Sequence, residues 1–441
     1  MSETRKLYPY QKTGVSEMCR FLRTGVEHSV YNADEMGLGK TIQTLACCDE
    51  MGFKKILIIC PAVMRLTWLR QCYKWLKPST LTNVRCIEDG PNIKRIQNGN
   101  IVIISYDLAA RNTATQLLIK QGFDCIVLDE AHKLKSTKSI RTLSILKSIW
   151  STTPYRIALS GTPLLTCVTD AWTLFSRMEP GFKDYDQFCN RFSNFVDTGY
   201  GRKFVGVKDA RLLSRLIRER FFIRRTKAEV LPDLPGKIFS KIILNKKYSV
   251  QAYEDELKRL FGPTTTPESD VYKKLLALQQ AGNSMPGLKR LQGIQKVEPI
   301  EEFTRNLLEQ GIPTVLFTYH KEVISKYAAL LKDFSPYVLD GSTSNKKKDE
   351  MQQAFQAGKG LLFIAQLTAG GVGIDLTRSS NVVLAELDWS PAVIQQAVDR
   401  CNRIGTKETT NIFYFVCDNS IDEHISSVVI SKARDFKKVL G

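Results

Sequence analysis

Residues 34–41 read Asp34-Glu35-Met36-Gly37-Leu38-Gly39-Lys40-Thr41, and they end in the three residue types that a phosphate-binding loop needs. Gly37 and Gly39 let backbone N–H groups come close to phosphate oxygens. Lys40 supplies a point charge for β- and γ-phosphates, and the Thr41 hydroxyl is a ligand for Mg²⁺. The start of a following helix adds the positive end of a dipole. The common pattern has glycine where this chain has Asp34, so the match is incomplete. No continuous apolar run leads into the loop, while Ile42, Leu45 and Ala46 predict a helix after it.

A second stretch supplies the complementary charge. Cys125-Ile126-Val127-Leu128 is a strand-like run that ends in Asp129-Glu130-Ala131-His132. Carboxylates at the C-terminal end of a parallel strand lie where nucleotides bind. There Asp129 can hold Mg²⁺ and Glu130 can polarise an attacking water. Gln11 precedes a helix expected over Lys12–Arg23, and its amide can read the edge of adenine or serve as a surface group. Arg400 and Arg403 are three apart, so a helix would show both on one face, as γ-phosphate fingers or as ordinary ion-pairing residues.

Elements that would position these groups follow a repeating rhythm. Strands are expected at 55–60, 101–104, 125–128 and 157–159, the last leading into the turn Ser160-Gly161-Thr162-Pro163. Trp68 and Trp75, between the first two, have the spacing of core residues on a helix. From 165 to about 235 the rhythm stops, and Phe175, Phe182, Tyr185, Phe188, Phe192 and Phe195 predict a helical, aromatic-packed insertion. Arg215, Arg218, Arg220, Arg224, Arg225 and Lys227 make residues 215–227 a candidate for phosphate-backbone contact or a solvated helix face. Leu231 to Gly236 reads as a linker. Residues 246–310 read as charged helices interrupted by a surface loop at 262–267. Strands then resume at 315–317, 338–339, 361–364 and 381–384. The expectation is an α/β protein with two parallel-sheet domains, 1–235 and 236–441.

Composition sets the bounds. The 441 residues suffice for two cores. The formal charge of +18 favours a polyanionic partner. No apolar run approaches the roughly 20 residues of a membrane span, and no apolar segment follows the basic N-terminus as in a secretory signal. Eleven Cys without a C-x-x-C pair point to free thiols in a reducing compartment rather than zinc.

In combination and order, these motifs resemble the Swi/Snf-type ATPases of helicase superfamily two. The resemblance rests on residues 34–41, Asp129 to His132, Leu159 to Pro163, and Arg224-Arg225-Thr226-Lys227 ahead of Leu234-Pro235. It is completed by Asp388-Trp389-Ser390-Pro391 and Gln396 through Gly405. The region Val315 to His320 is most similar to the fork-remodelling, annealing branch. The resemblance implies two RecA-like lobes facing across a cleft that holds ATP–Mg²⁺. Gln11 would read adenine; Gly37, Gly39, Lys40 and Thr41 would hold phosphates and metal. Asp129 and Glu130 would complete catalysis, and the second lobe would bring Arg400 and Arg403.

It further implies a track for duplex or forked DNA, crossed without full strand separation. By motif position, the contacts would be Pro61, Ser105, Tyr106, Ser160, Gly161 and Thr162 in lobe one. In lobe two they would be Thr318, His320, Gly341, Ser342, Thr368 and Gly370. Thr406, Thr166 and Asp375 depart from the family's usual Gln, Asn and Asn. The expected protein is a monomeric, intracellular motor or a trimmed core, without room for chromatin-reader domains. It would act in a bacterial or phage-infected cytoplasm, or otherwise in a nucleus. The competing readings are a strand-separating DNA or RNA helicase and an ATP-switched DNA clamp.

Overall fold

A computed structural model of the chain describes residues 6–165, 167–197, 202–244, 251–261, 286–370, 373–418 and 420–441. The chain divides into two compact units. The first comprises Met1–Asn194, Phe204–Pro232 and Asp435–Gly441; the second comprises Phe195–Lys203 and Asp233–Arg434. The main boundary falls within the proline-punctuated segment that reads as a linker. The last seven residues belong to the first unit because Phe436, Val439 and Leu440 join its core.

Helix α1 (Pro9–Thr24) opens the first unit. Proline sits at its start, where the missing N–H costs nothing, and the Gln11 side chain accepts the backbone N–H of Tyr8 at 3.0 Å. Strand β1 (Ser29–Asn32) and helix α2 (Lys40–Glu50) flank the phosphate loop. Next come β2 (Ile56–Cys60), α3 (Arg65–Trp75), β3 (Val84–Ile87), β4 (Ile101–Ser105), β5 (Cys125–Asp129) and β6 (Tyr155–Leu159). After a short pair, β7 (Asn194–Asp197) and β8 (Arg202–Val205), β9 (Phe222–Ile223) returns to the sheet. The order is β3-β4-β2-β5-β6-β1-β9, with every pairing parallel.

Side chains alternate through this sheet. Ile56, Ile58 and Cys60 join the cluster containing Met18, Leu22 and Trp68, while Leu57 and Ile59 join the opposite one. A strand covered on both faces reads as a continuous apolar run, which is why β2, β4 and β5 were visible in the sequence. Strand β1 was not. It is buried throughout, yet it contains Asn32, whose amide lies 3.5 Å from Gln43 Oε1 and 3.7 Å from Met18 Sδ. A buried polar residue with local partners erased the apolar signal.

Between β6 and β9, Phe175, Phe182, Phe188 and Phe192 are buried in edge-to-face contacts, with Phe182–Phe188 centroids 5.3 Å apart. Phe195 departs from the expectation: it lies on β7 and is exposed. The helix before it ends at Phe192, and a further helix, Ala210–Arg220, follows the β7–β8 pair.

The described residues of the second unit form a sheet of six parallel strands: β10 (Lys237–Leu244), β11 (Thr314–Thr318), β12 (Tyr337–Leu339), β13 (Leu362–Gln366), β14 (Asn381–Leu384) and β15 (Thr410–Cys417). Their order is β10-β15-β14-β11-β13-β12. Helices Gln251–Phe261, Pro286–Gln295 and Val297–Glu309 occupy the described part of the charged region; the 262–267 loop lies outside the described residues. Strands β10 and β15 pair over eight positions and were not read from the sequence. β10 exposes Ile238, Phe239 and Ile243, so it lacks the buried-strand pattern.

Candidate functional site

Strand register brings the motifs of the first unit to one edge. Asn32 of β1 and Asp129 of β5 both pair with Leu159 of β6. The phosphate loop, the Ser160-Gly161-Thr162 turn and the acidic pair therefore leave the sheet at the same level. On the far side of β1, Ile223 also pairs with Asn32, so Arg224 and Arg225 emerge beside the loop. This is the carboxyl edge, where parallel sheets bind ligands.

The loop is built for close approach. Gly37 and Gly39 have φ of 89° and 77°, which side chains disfavour. A Cβ at Gly39 would come within 2.5 Å of Gln11 Nε2. No side chain caps α2, so its first N–H groups remain suited to an anion. Gln11 is buried, and its Nε2 donates to Leu38 O at 3.4 Å. Reading adenine would mean exchanging that bond. Lys40 Nζ donates to Asp34 O at 2.7 Å and Glu35 O at 3.3 Å. Thr41 follows at the helix start, partly exposed.

Cationic and anionic groups gather near the loop. Burial lowers the Lys40 pKa. Burial, reinforced by Glu130, pushes the Asp129 carboxyl up to about 7. Lys40 and the two carboxylates are close enough to act on one another electrostatically, which puts cationic and anionic groups together where phosphates and Mg²⁺ would need them. Glu130 itself has left-handed backbone, φ 54° and ψ 48°, an uncommon conformation for a side-chain-bearing residue. His132 Nδ1 lies 2.7 Å from Ser160 Oγ and 3.2 Å from Glu130 Oε2. Burial lowers its pKa to about 3, so the imidazole is neutral and ties the acidic motif to the next turn.

Two arginines assigned from sequence to a DNA-facing cluster do other work. Arg224 Nη1 donates to Ala33 O at 2.7 Å and Gly161 O at 2.9 Å. Arg225 is paired with Asp34 and also donates to Gln43 Oε1 at 2.7 Å. Both brace the phosphate loop, whereas Arg215 is exposed on the helix Ala210–Arg220. Neither His132 nor these two arginines was singled out for such a role; only their places beside motif residues hinted at it.

The proposed DNA contacts differ between units. Pro61, Ser105, Tyr106, Ser160, Gly161 and Thr162 are all buried at the carboxyl edge. In the second unit, Gly341, Ser342 and Thr368 are exposed at the ends of β12 and β13. Gly370 closes the short helix Leu367–Gly370. Thr318 is buried, and its hydroxyl donates to Glu386. The His320 ring meets the same carboxylate, Nδ1 to Oε1, at 2.6 Å. Glu386, missed in the sequence, also accepts backbone N–H groups from Tyr319 at 2.8 Å and His320 at 2.9 Å.

Arg400 and Arg403 do not share a helix face. The helix Pro391–Val398 ends before them. Thr406 closes the turn that follows: its Oγ1 accepts the Arg403 N–H at 2.9 Å and donates to Cys401 O at 3.2 Å. A threonine hydroxyl does both at once. Arg400 is buried, and Arg403 Nε donates to Asp399 O at 3.0 Å. Asp399 is in turn paired with Lys237 at 2.5 Å. Thr166 lies outside the described residues.

This geometry is matched by kinship. Residues 10–286 match the model of the SNF2-related domain, and residues 295–405 match that of the helicase conserved C-terminal domain. The chain belongs to the SNF2-related domain family.

Among its relatives is the SWI/SNF-related matrix-associated actin-dependent regulator of chromatin subfamily A-like protein 1 of Xenopus laevis. It is 29% identical over 99% of this chain and 44% of its own length. The DNA annealing helicase and endonuclease ZRANB3 of Homo sapiens is 26% identical over 97% of this chain and 40% of its own. The chain thus spans less than half the length of these two relatives. A solved Sulfolobus solfataricus SWI2/SNF2 ATPase core in complex with dsDNA aligns over 100% of this chain and 96% of its own. Its TM-score is 0.47, at 24% identity. Among the described residues, no helix is long and apolar enough to cross a membrane.

Proposed function

We propose that this chain is a DNA-dependent ATPase that moves along double-stranded or forked DNA, remodelling DNA structures or protein–DNA complexes. The observation that carries the proposal is the meeting of Lys40, Asp129 and Glu130 beside the glycine loop at one carboxyl sheet edge. The printed name of the human relative, an annealing helicase, supports DNA as the substrate. The excess of positive charge supports it independently.

In this mechanism Lys40 and the loop N–H groups would hold the phosphates, and Thr41 with Asp129 would hold Mg²⁺. The metal would neutralise charge on the phosphoryl oxygens. Glu130 takes the proton of the attacking water. Arg400 and Arg403 lie in the other unit and would supply positive charge to the transferred group on closure. Hydrolysis would then depend on alignment of the units, and DNA bound to both would set that alignment. The motor would act as an intracellular monomer.

The test is ATP hydrolysis at one low salt concentration with no nucleic acid, single-stranded DNA, duplex DNA, forked DNA or RNA. Stimulation by duplex or forked DNA, absent in Glu130→Gln, is expected. Stimulation by RNA alone would overturn the choice of track. Absence of hydrolysis throughout, with ATP still altering DNA affinity, would replace the motor with a switch. Efficient unwinding of a blunt duplex would make it a strand-separating helicase.

A further inference from the structure

Trp68 lies on α3, with the spacing of an ordinary core residue, and it is fully buried. Its indole Nε1 nevertheless donates to Asp129 Oδ2 at 2.8 Å. From the end of β4, two strands away in the sheet, the buried Tyr106 hydroxyl donates to the backbone carbonyl of the same aspartate at 2.7 Å. Trp68 reaches the aspartate from across 61 positions of sequence and Tyr106 from across 23. One bond fixes the side chain and the other fixes the peptide from which it springs. Among the described residues, no other hydrogen bond from a side chain to this carboxylate is evident.

The choice of donor matters. An indole N–H donates and never accepts, and it carries no charge. It can hold one oxygen of a carboxylate in place without neutralising the group, as a lysine or arginine would. The second oxygen keeps its affinity for a cation. Fixing a metal ligand from behind with a neutral donor orients it and limits the entropy lost when metal binds.

We propose that Trp68 and Tyr106 are positioning residues for Asp129, anchoring Oδ2 and the peptide so that Oδ1 is the oxygen offered to a divalent cation. The inference rests on the ATP–Mg²⁺ reading of the site and goes beyond it by assigning a function to two residues outside the nucleotide motifs. It also gives Tyr106 a role other than DNA contact.

The experiment titrates the full chain with a fluorescent ATP analogue, first in EDTA and then with increasing Mg²⁺. If Mg²⁺ does not tighten binding to the unaltered chain, the metal reading of the site fails, and this inference fails with it. If it does, Trp68→Phe is expected to bind the analogue normally in EDTA. The Mg²⁺ concentration for half-maximal tightening should rise on the order of 10- to 100-fold, as when support behind a metal ligand is removed. Tyr106→Phe keeps the ring and is expected to shift the half-point in the same direction by less.

Equal half-points in Trp68→Phe and the unaltered chain would reduce the indole to packing and overturn the proposal. Should Trp68→Phe lose analogue binding even in EDTA, the packing has failed. Tyr106→Phe then decides: a raised half-point supports the proposal and an unchanged one overturns it.

Discussion

Arg225 grips the carboxylate of Asp34 with two nitrogens, Nε on Oδ1 at 3.0 Å and Nη2 on Oδ2, while its own backbone N–H donates to Oδ1 at 3.0 Å. Asp34 is fully buried at the start of the phosphate loop, and Arg225 is mostly covered. The same guanidinium donates to the Tyr10 carbonyl on α1. The segment after β9 is therefore a brace joining α1 to the loop before α2.

Removing one partner of such a pair leaves a buried charge uncompensated. Arg225→Ala is expected to destabilise the first unit by about 3–5 kcal/mol. Arg225→Lys should rescue little, because an ammonium cannot reproduce the planar, two-pronged contact. Thermal unfolding with a parallel nucleotide-binding titration checks both. A lysine variant with unchanged melting and affinity would refute the bracing role.

Glu130→Gln keeps the shape of the side chain and removes its basicity. Hydrolysis should fall about 10²- to 10⁴-fold, the usual worth of a positioned general base. Nucleotide affinity should survive, because Lys40 and the loop are untouched. A single-turnover assay beside a binding titration separates the two effects. Retained turnover would move the base to another residue.

These two sites differ in how much the sequence revealed. Lys40, Asp129 and Glu130 were legible because each sits at the end or start of a regular element and belongs to a short contiguous pattern. Arg225, Trp68 and Glu386 act across long sequence separations, and nothing local marks an indole or a carboxylate as turned inward. Strands β2, β4 and β5 showed themselves through unbroken burial. Strand β1 hid behind Asn32, and β10 behind its exposed residues. The Arg400–Arg403 helix failed for a different reason: a spacing of three is equally compatible with a turn, and Thr406 provides the hydrogen bonds that close one.

Glu386 organises the end of β11. It is buried and accepts hydrogen bonds from Thr318, Tyr319 and His320. Those bonds hold its pKa below the usual value against the opposing effect of burial, which alone would raise it. Glu386→Gln exchanges one acceptor oxygen for an NH₂ that faces donors. If His320 lies on the DNA track, the variant should lose most of the DNA stimulation of ATP hydrolysis. Its DNA-independent rate and nucleotide affinity should be preserved. Rates measured with and without duplex DNA give the answer; an unaltered stimulation ratio would separate this cluster from the track.

Lys348 gives the second unit a pH dependence of defined sign. It is buried on the helix Asn345–Gln356, and burial lowers its pKa from 10.5 to about 8. Below about pH 8 the lysine is charged both folded and unfolded, and the folded state bears a net cost of burying that charge, of which Asp349 offsets only a part. Between about pH 8 and 10.5 the unfolded chain binds more protons than the folded one, so this group's contribution to stability rises with pH. The rise totals on the order of 3 kcal/mol and levels off above the unfolded value. Lys348→Met keeps most of the stem and removes the charge, so it should be the more stable protein at pH 7.5. Its advantage should shrink as pH approaches 10.5. Chemical denaturation of both proteins at several pH values isolates this residue from every other titrating group, because only their difference is read. A difference that stays constant with pH would show that the ammonium is solvated in the folded state.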